Sequence, residues 1–147
     1  MRVTPDANFL VRAALHPHGL AAAIVGYAVR PPHVLVLAPQ IIDDVGRALR
    51  YPHIQKRYHL PDTQIDNYLQ QLRSMSDLVL APTVVAVVKA DPDDDIVIAT
   101  AVDGQAEVIG TIDQHFRDAV VLAYSSAHNI RILTDVQLVA ELRASTP

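Results

Sequence analysis

His33-Val34-Leu35-Val36-Leu37-Ala38-Pro39-Gln40-Ile41-Ile42-Asp43-Asp44-Val45-Gly46-Arg47-Ala48-Leu49 is the stretch that decides the fold. His33 to Ala38 is a nearly unbroken apolar run, the pattern of a strand buried on both faces. Pro39 lacks an N–H that the first turn of a helix would leave unpaired anyway. From there Ile41, Val45 and Leu49 recur every four residues, an apolar stripe at helical spacing. A buried strand running straight into an amphipathic helix is half of a βαβ unit, and such strands belong to parallel sheets covered on both sides.

The same alternation extends in both directions. Arg2-Val3-Thr4 reads as a short strand closed by Pro5. Phe9 to Leu15 starts a helix that His16-Pro17-His18-Gly19 breaks, and Leu20 to Arg30 is a second helix ended by Pro31-Pro32. Tyr51-Pro52 leads into a basic half-turn segment. Pro61-Asp62 then begins a helix with Ile65, Tyr68, Leu69 and Leu72 on one face. Leu78-Val79-Leu80 and Val84 to Val88 are strand-like on either side of Pro82. Asp94 opens the apolar helix Ile96-Val97-Ile98-Ala99-Thr100-Ala101, with Gly104 as a left-handed stop. Val108 to Gly110 and Ile130 to Leu133 are the remaining strands, and Thr134-Asp135-Val136-Gln137 fits a capping box opening a helix to Arg143. The fold class is therefore α/β, a mostly parallel sheet with helices on both faces. With 147 residues and neither repeat nor linker, a single domain over 1–147 is expected.

Composition removes several function classes. No run reaches the roughly 18–20 apolar residues of a membrane span, and the chain enters its first strand without a charged-then-apolar leader. The absence of cysteine excludes disulfides and thiolate metal sites, and agrees with a soluble, cytoplasmic protein. A net charge of −4 argues against a surface that coats nucleic acid. Charge is uneven, however: Arg47, Arg50, Lys56 and Arg57, with His53 and His59, make 47–59 basic, whereas 91–95 holds four acids in five positions.

The acids fall at informative places. Asp6 ends the first strand, Asp94 opens a helix, and Asp113 follows the strand Val108-Ile109-Gly110-Thr111. In open parallel sheets ligands bind outside the carboxyl ends of the strands. Carboxylates gathered there, with neither cysteine nor a phosphate loop, suit hard divalent cations such as Mg²⁺ or Mn²⁺. Two such cations roughly 3.5–4 Å apart can activate a water and stabilise the leaving oxygen in phosphodiester cleavage. Each acid also has a duller explanation. Asp6 suits a helix N-cap, Asp91–Asp95 a turn whose acids complement a helix dipole, Asp113 an exposed turn and Asp44 a solvated helix face. Their joint position at strand ends favours a site.

Other chemistries find less support. Seven histidines show no paired spacing like HExxH and read as surface or loop residues. Ser125-Ser126 with His128 lacks the strand–turn–helix setting of a nucleophilic serine, and five glycines form no phosphate loop. A haloacid-dehalogenase-type phosphatase would need Asp where Asn8 stands. A response-regulator receiver would need a late lysine, and the last is Lys89.

In order and spacing, four blocks resemble the PIN-domain family of metal-dependent ribonucleases, particularly the VapC-like toxins of prokaryotic toxin–antitoxin pairs. They are Asp6-Ala7-Asn8, Leu37-Ala38-Pro39-Gln40-Ile41-Ile42-Asp43-Asp44 with Arg50-Tyr51-Pro52-His53 after it, Asp91-Pro92-Asp93-Asp94-Asp95, and Gly110-Thr111-Ile112-Asp113. The resemblance implies a PIN-like three-layer α/β/α domain. It places the family's first, third and fourth acids on Asp6, Asp94 and Asp113 as metal ligands, with Asn8 and Thr111 in support. The second acid, usually Glu, falls on Asp44 as a further catalytic residue, one methylene shorter. Asp43 is its neighbour about 100° around the helix. Thr4-Pro5 departs from the apolar residues the family generally places before its first acid. The implied activity is Mg²⁺- or Mn²⁺-dependent endoribonuclease cleavage, with Arg47, Arg50, Lys56 and Arg57 holding the RNA backbone and a cognate antitoxin as partner. The alternative is a catalytically weak PIN-fold module that binds RNA or protein. Helices 20–30 and 62–74, with Tyr27, Tyr51, Tyr58 and Tyr68 among the apolar residues of the chain, carry more apolar surface than one stripe needs. A homodimer through that helical face is expected.

Overall fold

The computed structural model describes residues 1–89 and 91–147. Among them, five parallel strands form one sheet: β1 (Arg2–Pro5), β2 (Val34–Leu37), β3 (Ser76–Leu78), β4 (Val108–Gly110) and β5 (Arg131–Leu133), in the order β3-β2-β1-β4-β5. Eight helices surround it: α1 (Ala7–Leu15), α2 (Leu20–Ala28), α3 (Pro39–Leu49), α4 (Pro52–Tyr58), α5 (Asp62–Met75), α6 (Asp95–Asp103), α7 (Ala119–Ala127) and α8 (Asp135–Ala144). The α/β class stands, and the sheet is parallel throughout.

Register fixes which side chains share a face. Val3 pairs with Leu35 and Val108, so by alternation these three point the same way. Over Val3 and Val108 lie Phe9, Ile24, Leu138 and Leu142 from α1, α2 and α8. Ile109, one residue on, pairs with Thr4 and Ile132 and points to the opposite side. It joins a second apolar cluster with Val97, Ile98 and Val121 of α6 and α7. Burying large apolar side chains on both faces, at roughly 1.5–3 kcal/mol apiece, outweighs the weak intrinsic preference of such short strands.

The chain extends the sheet in one direction from β1 through β2 to β3. It then crosses back to lay β4 on the other side of β1. Strand order thus reverses between β1 and β4, opening a crevice beyond their carboxyl ends.

Several expectations are corrected. The segment after Tyr51-Pro52 is a helix, α4, with Pro52 in its first turn and His59 closing it in the left-handed region (φ 50°). Val84 to Val88 is no strand. Leu80, Val84 and Val85 are exposed, and the amides of Val87 and Val88 bond to the Asp95 carboxylate instead of a ladder. β3 begins earlier, at Ser76. Helix α7, capped by Asp118, has no counterpart in the sequence reading. Gly104 does close α6, but at φ −84°, and Gln105 takes the left-handed conformation. Glycine is needed there for space: a Cβ would sit 2.4 Å from Val36 Cγ1 and 2.8 Å from the Thr100 carbonyl oxygen. His33 is buried rather than a surface histidine, its ring satisfied between the Met1 amino group and the Leu142 carbonyl and Thr146 hydroxyl. The Thr134–Gln137 capping box is present, with both reciprocal bonds.

Candidate metal centre

Asp6 is the residue at which β1 becomes α1. Its backbone N–H donates to the Gly110 carbonyl at 3.0 Å, which continues the β1–β4 ladder and fixes the carboxylate over the crevice. Its Oδ1 accepts from the Phe9 N–H at 3.0 Å, so Asp6 is indeed a helix N-cap. Its Oδ2 accepts from the Thr111 hydroxyl. Asp6 is only 4% exposed. That burial lifts its pKa, opposed by the Thr111 and Phe9 bonds and by Arg12, and reinforced by Asp113.

Thr111 does two jobs after β4. While its hydroxyl proton goes to Asp6, its oxygen accepts from the Asp113 N–H at 3.0 Å. It thereby ties the first acid to the turn that carries Asp113. Asp113 caps the short 3₁₀ turn Gln114–Arg117 by accepting from the His115 N–H at 2.9 Å. Asn8, exposed on the first turn of α1, makes no side-chain hydrogen bond among the described residues.

Asp94 ends the 3₁₀ turn Pro92–Asp94 that leads into α6. Its pKa is pushed up to about 7, first by burial and then by the nearby charges of Asp91, Asp113 and Asp6. Its Oδ2 is enclosed without a hydrogen-bond partner. A carboxylate shut in among like charges with an orphaned oxygen is a group awaiting a proton or a cation.

Donor atoms of Asp91, Asp94, Asp113 and His115 all lie within 4.8 Å of one another. Three carboxylate oxygens and one imidazole at that spacing have the chemistry to hold a divalent cation, and the orphaned Asp94 Oδ2 supports the fit. Asp6 lies beside this group rather than in it, close enough for its charge to act on both Asp94 and Asp113. Sequence reasoning missed Asp91 and His115 as members. The one available cue was position, Asp91 three residues before one acid and His115 two after another.

Asp44 is set apart. It sits half-buried on α3 and pairs with Arg47 one turn on. Burial raises its pKa, Arg47 opposes this, and Asp93 and Asp43 add to it, which places Asp44 at the rim of the 91–95 turn. Asp43 is exposed on another face of α3. Among the basic residues, Arg50 is held by Asp62 and Asp66. Arg57 lies over the Tyr58 ring, and Lys56 is exposed on the same helix.

With this geometry in view, comparison with known families is decisive at one level. A sequence model described as PIN domain matches residues 2–115. The chain belongs to the PIN domain family. No curated protein and no solved structure matches it significantly. PIN membership points to nuclease chemistry supported by a divalent metal, and the acid cluster is where such a metal would be held. The matched segment ends at His115, yet β5 and α8 beyond it complete the sheet and its covering layer.

Proposed function

We propose that this PIN domain is an endoribonuclease dependent on Mg²⁺ or Mn²⁺ and the toxin of a toxin–antitoxin pair, working in the cytoplasm as one functional domain over 1–147. The observation that carries the nuclease reading is the convergence of Asp6, Asp94 and Asp113 in the crevice between β1 and β4, where burial and neighbouring charge raise the proton affinity of Asp6 and Asp94. The toxin role and the antitoxin partner rest on the sequence resemblance. No helix among the described residues is long and apolar enough to cross a membrane alone.

A bound cation supplies a lowered pKa for its water and charge stabilisation for the departing oxygen. The chain's own part is positional. Thr111 holds Asp6 and the Asp113 turn in one rigid unit, and α6 carries Asp94 to meet them. Burial of Asp6 keeps bulk water from its own carboxylate. Lys56 and Arg57 on α4 give the RNA backbone cationic groups, and Arg47 and Arg50 would join them once released from their acidic partners.

Purified protein incubated with a 5′-labelled randomised oligoribonucleotide and Mn²⁺ is expected to cleave it. Asp6→Asn keeps the helix cap and is expected to lose at least about 100-fold in rate. Undiminished cleavage by Asp6→Asn would sink the assignment. One observation favours the weak-module alternative: Asp44 is short, outside the cluster and committed to Arg47. No cleavage by wild type, with RNA binding retained, would select it.

A homodimer is also proposed. The surface between α2 and α5 is an apolar groove lined by Ala22, Val25, Val29, Leu72 and Met75. Tyr68 does not contribute its hydroxyl to that surface, since it donates inward to the Leu10 carbonyl at 2.6 Å. Light scattering that returns the 16.1 kDa mass of one chain would refute the dimer.

A further inference from the structure

Asp91 and His115 stand outside the acids carried over from the family, yet among the described residues the fold brings both into one group whose donor atoms lie within 4.8 Å of one another. Each is held in place. Asp91 Oδ1 accepts from the Asp93 N–H at 3.1 Å, which pins the turn and leaves Oδ2 free of hydrogen bonds among the described residues. His115 sits on the 3₁₀ turn after β4, anchored by the fully buried Phe116. Its ring Nδ1 stands 3.4 Å from Asp113 Oδ1. Asp94 belongs to the same donor group, and its Oδ2 is enclosed without a hydrogen-bond partner among the described residues, although a protonated Asp94 carboxyl can bond to Asp113.

We propose that Asp91 and His115 are ligands of the same cation as Asp94 and Asp113, forming a three-oxygen, one-nitrogen set that selects transition-metal ions over Mg²⁺. This rests on the metal-dependent reading and deepens it. Mg²⁺ demands near-octahedral oxygen coordination and keeps its waters, so it gains little from an imidazole. Co²⁺, Ni²⁺ and Zn²⁺ stand higher in the affinity order for nitrogen donors. An all-carboxylate centre would lack that bias. The simpler occupant of the same geometry is an Asp113–His115 ion pair with no metal role, and the experiment separates the two.

Protein stripped with EDTA is titrated calorimetrically with Co²⁺ and, separately, with Mg²⁺. His115→Gln retains the backbone N–H to Asp113, and the wild-type side chain is exposed, so the fold is expected to survive; His115→Asn serves as a second variant. The expected result is about a tenfold or greater loss of Co²⁺ affinity in the variant, with Mg²⁺ affinity changed by less than about threefold. Asp91→Asn is expected to weaken both metals. Co²⁺-loaded wild type should show a paramagnetically shifted imidazole N–H resonance that His115→Gln lacks, whereas an exposed control, His53→Gln, keeps it. Equal effects on the two metals, or an unchanged Co²⁺ affinity, overturn the assignment of His115 while leaving the nuclease reading intact. Wild type that binds neither metal overturns both.

Discussion

Asp94→Asn in metal-free protein is expected to stabilise the fold, and to do so in a pH-dependent way. The Asp94 carboxyl lies among Asp91, Asp113 and Asp6, and its pKa is raised from an ordinary 3.8 to about 7, chiefly by burial. In the folded state the neutral form is thus favoured. Between pH 3.8 and 7 the native chain holds a proton that the unfolded chain has lost, so stability falls as pH rises through this window and levels off above it. The full displacement corresponds to about 4 kcal/mol at about 1.36 kcal/mol per pH unit. The group is only half-buried, and solvent screening brings the expected effect to about 2 kcal/mol. Asparagine is neutral at every pH and its amide can donate to Asp113. The variant should match wild type near pH 4 and exceed it by about 2 kcal/mol at pH 8, or about 4–8 °C in Tm. Urea unfolding in EDTA at intervals from pH 4.5 to 8 measures the gap. Mn²⁺ at about 100 times its Kd should add about 2.7 kcal/mol to wild type and little to the variant, closing the gap. A gap that is the same at both ends of the pH range, or a variant less stable at pH 8, would refute the account of Asp94 as a carboxylate strained by its neighbours.

Thr111→Val removes the hydroxyl that serves both Asp6 and the Asp113 amide; about 1–3 kcal/mol of stability should be lost in urea unfolding, and an unchanged midpoint would deny the tie. Asp95→Ala frees the amides of Val87 and Val88, with an expected loss of about 2–4 kcal/mol and fast hydrogen exchange at both; continued protection would mean that the segment is held by other contacts. Asp44→Glu restores the missing methylene and should maintain or strengthen Mn²⁺ binding, whereas Asp44→Ala should weaken it. Calorimetry that finds no change in either variant would move the role to Asp43 or to neither.

The sequence by itself determined the architecture around its strongest local signals. His33 to Leu49 reads as strand then helix because a continuous apolar run and a four-residue repeat need no distant partner to be recognised, and β2 and α3 stand where expected. The same holds for the Thr134 capping box, whose two bonds span only three residues. Asp6 and Asp113 could be picked out from the chain because one directly follows β1 and the other lies three residues beyond β4. Where an apolar stretch has two uses, local pattern fails. Val84 to Val88 carries β-branched residues in a strand-like run, yet its amides are captured by Asp95, a buried carboxylate whose role exists only once α6 packs beside that segment. Gly104 carried the right punctuation for the wrong reason, since crowding by Val36, over sixty residues away, is invisible along the chain.

Tertiary structure alone brought Asp91 and His115 into the donor group with Asp94 and Asp113. Asp91, Asp94, Asp113 and His115 come from two turns on different elements, and only the crossing from β3 back to β4 sets those turns side by side. That same crossing leaves Asp44 with Arg47 at the rim and draws an exposed histidine into the acid group. Chain spacing specifies which residues share an element, whereas donor distances depend on how elements pack, and electrostatic coupling between carboxylates follows those distances.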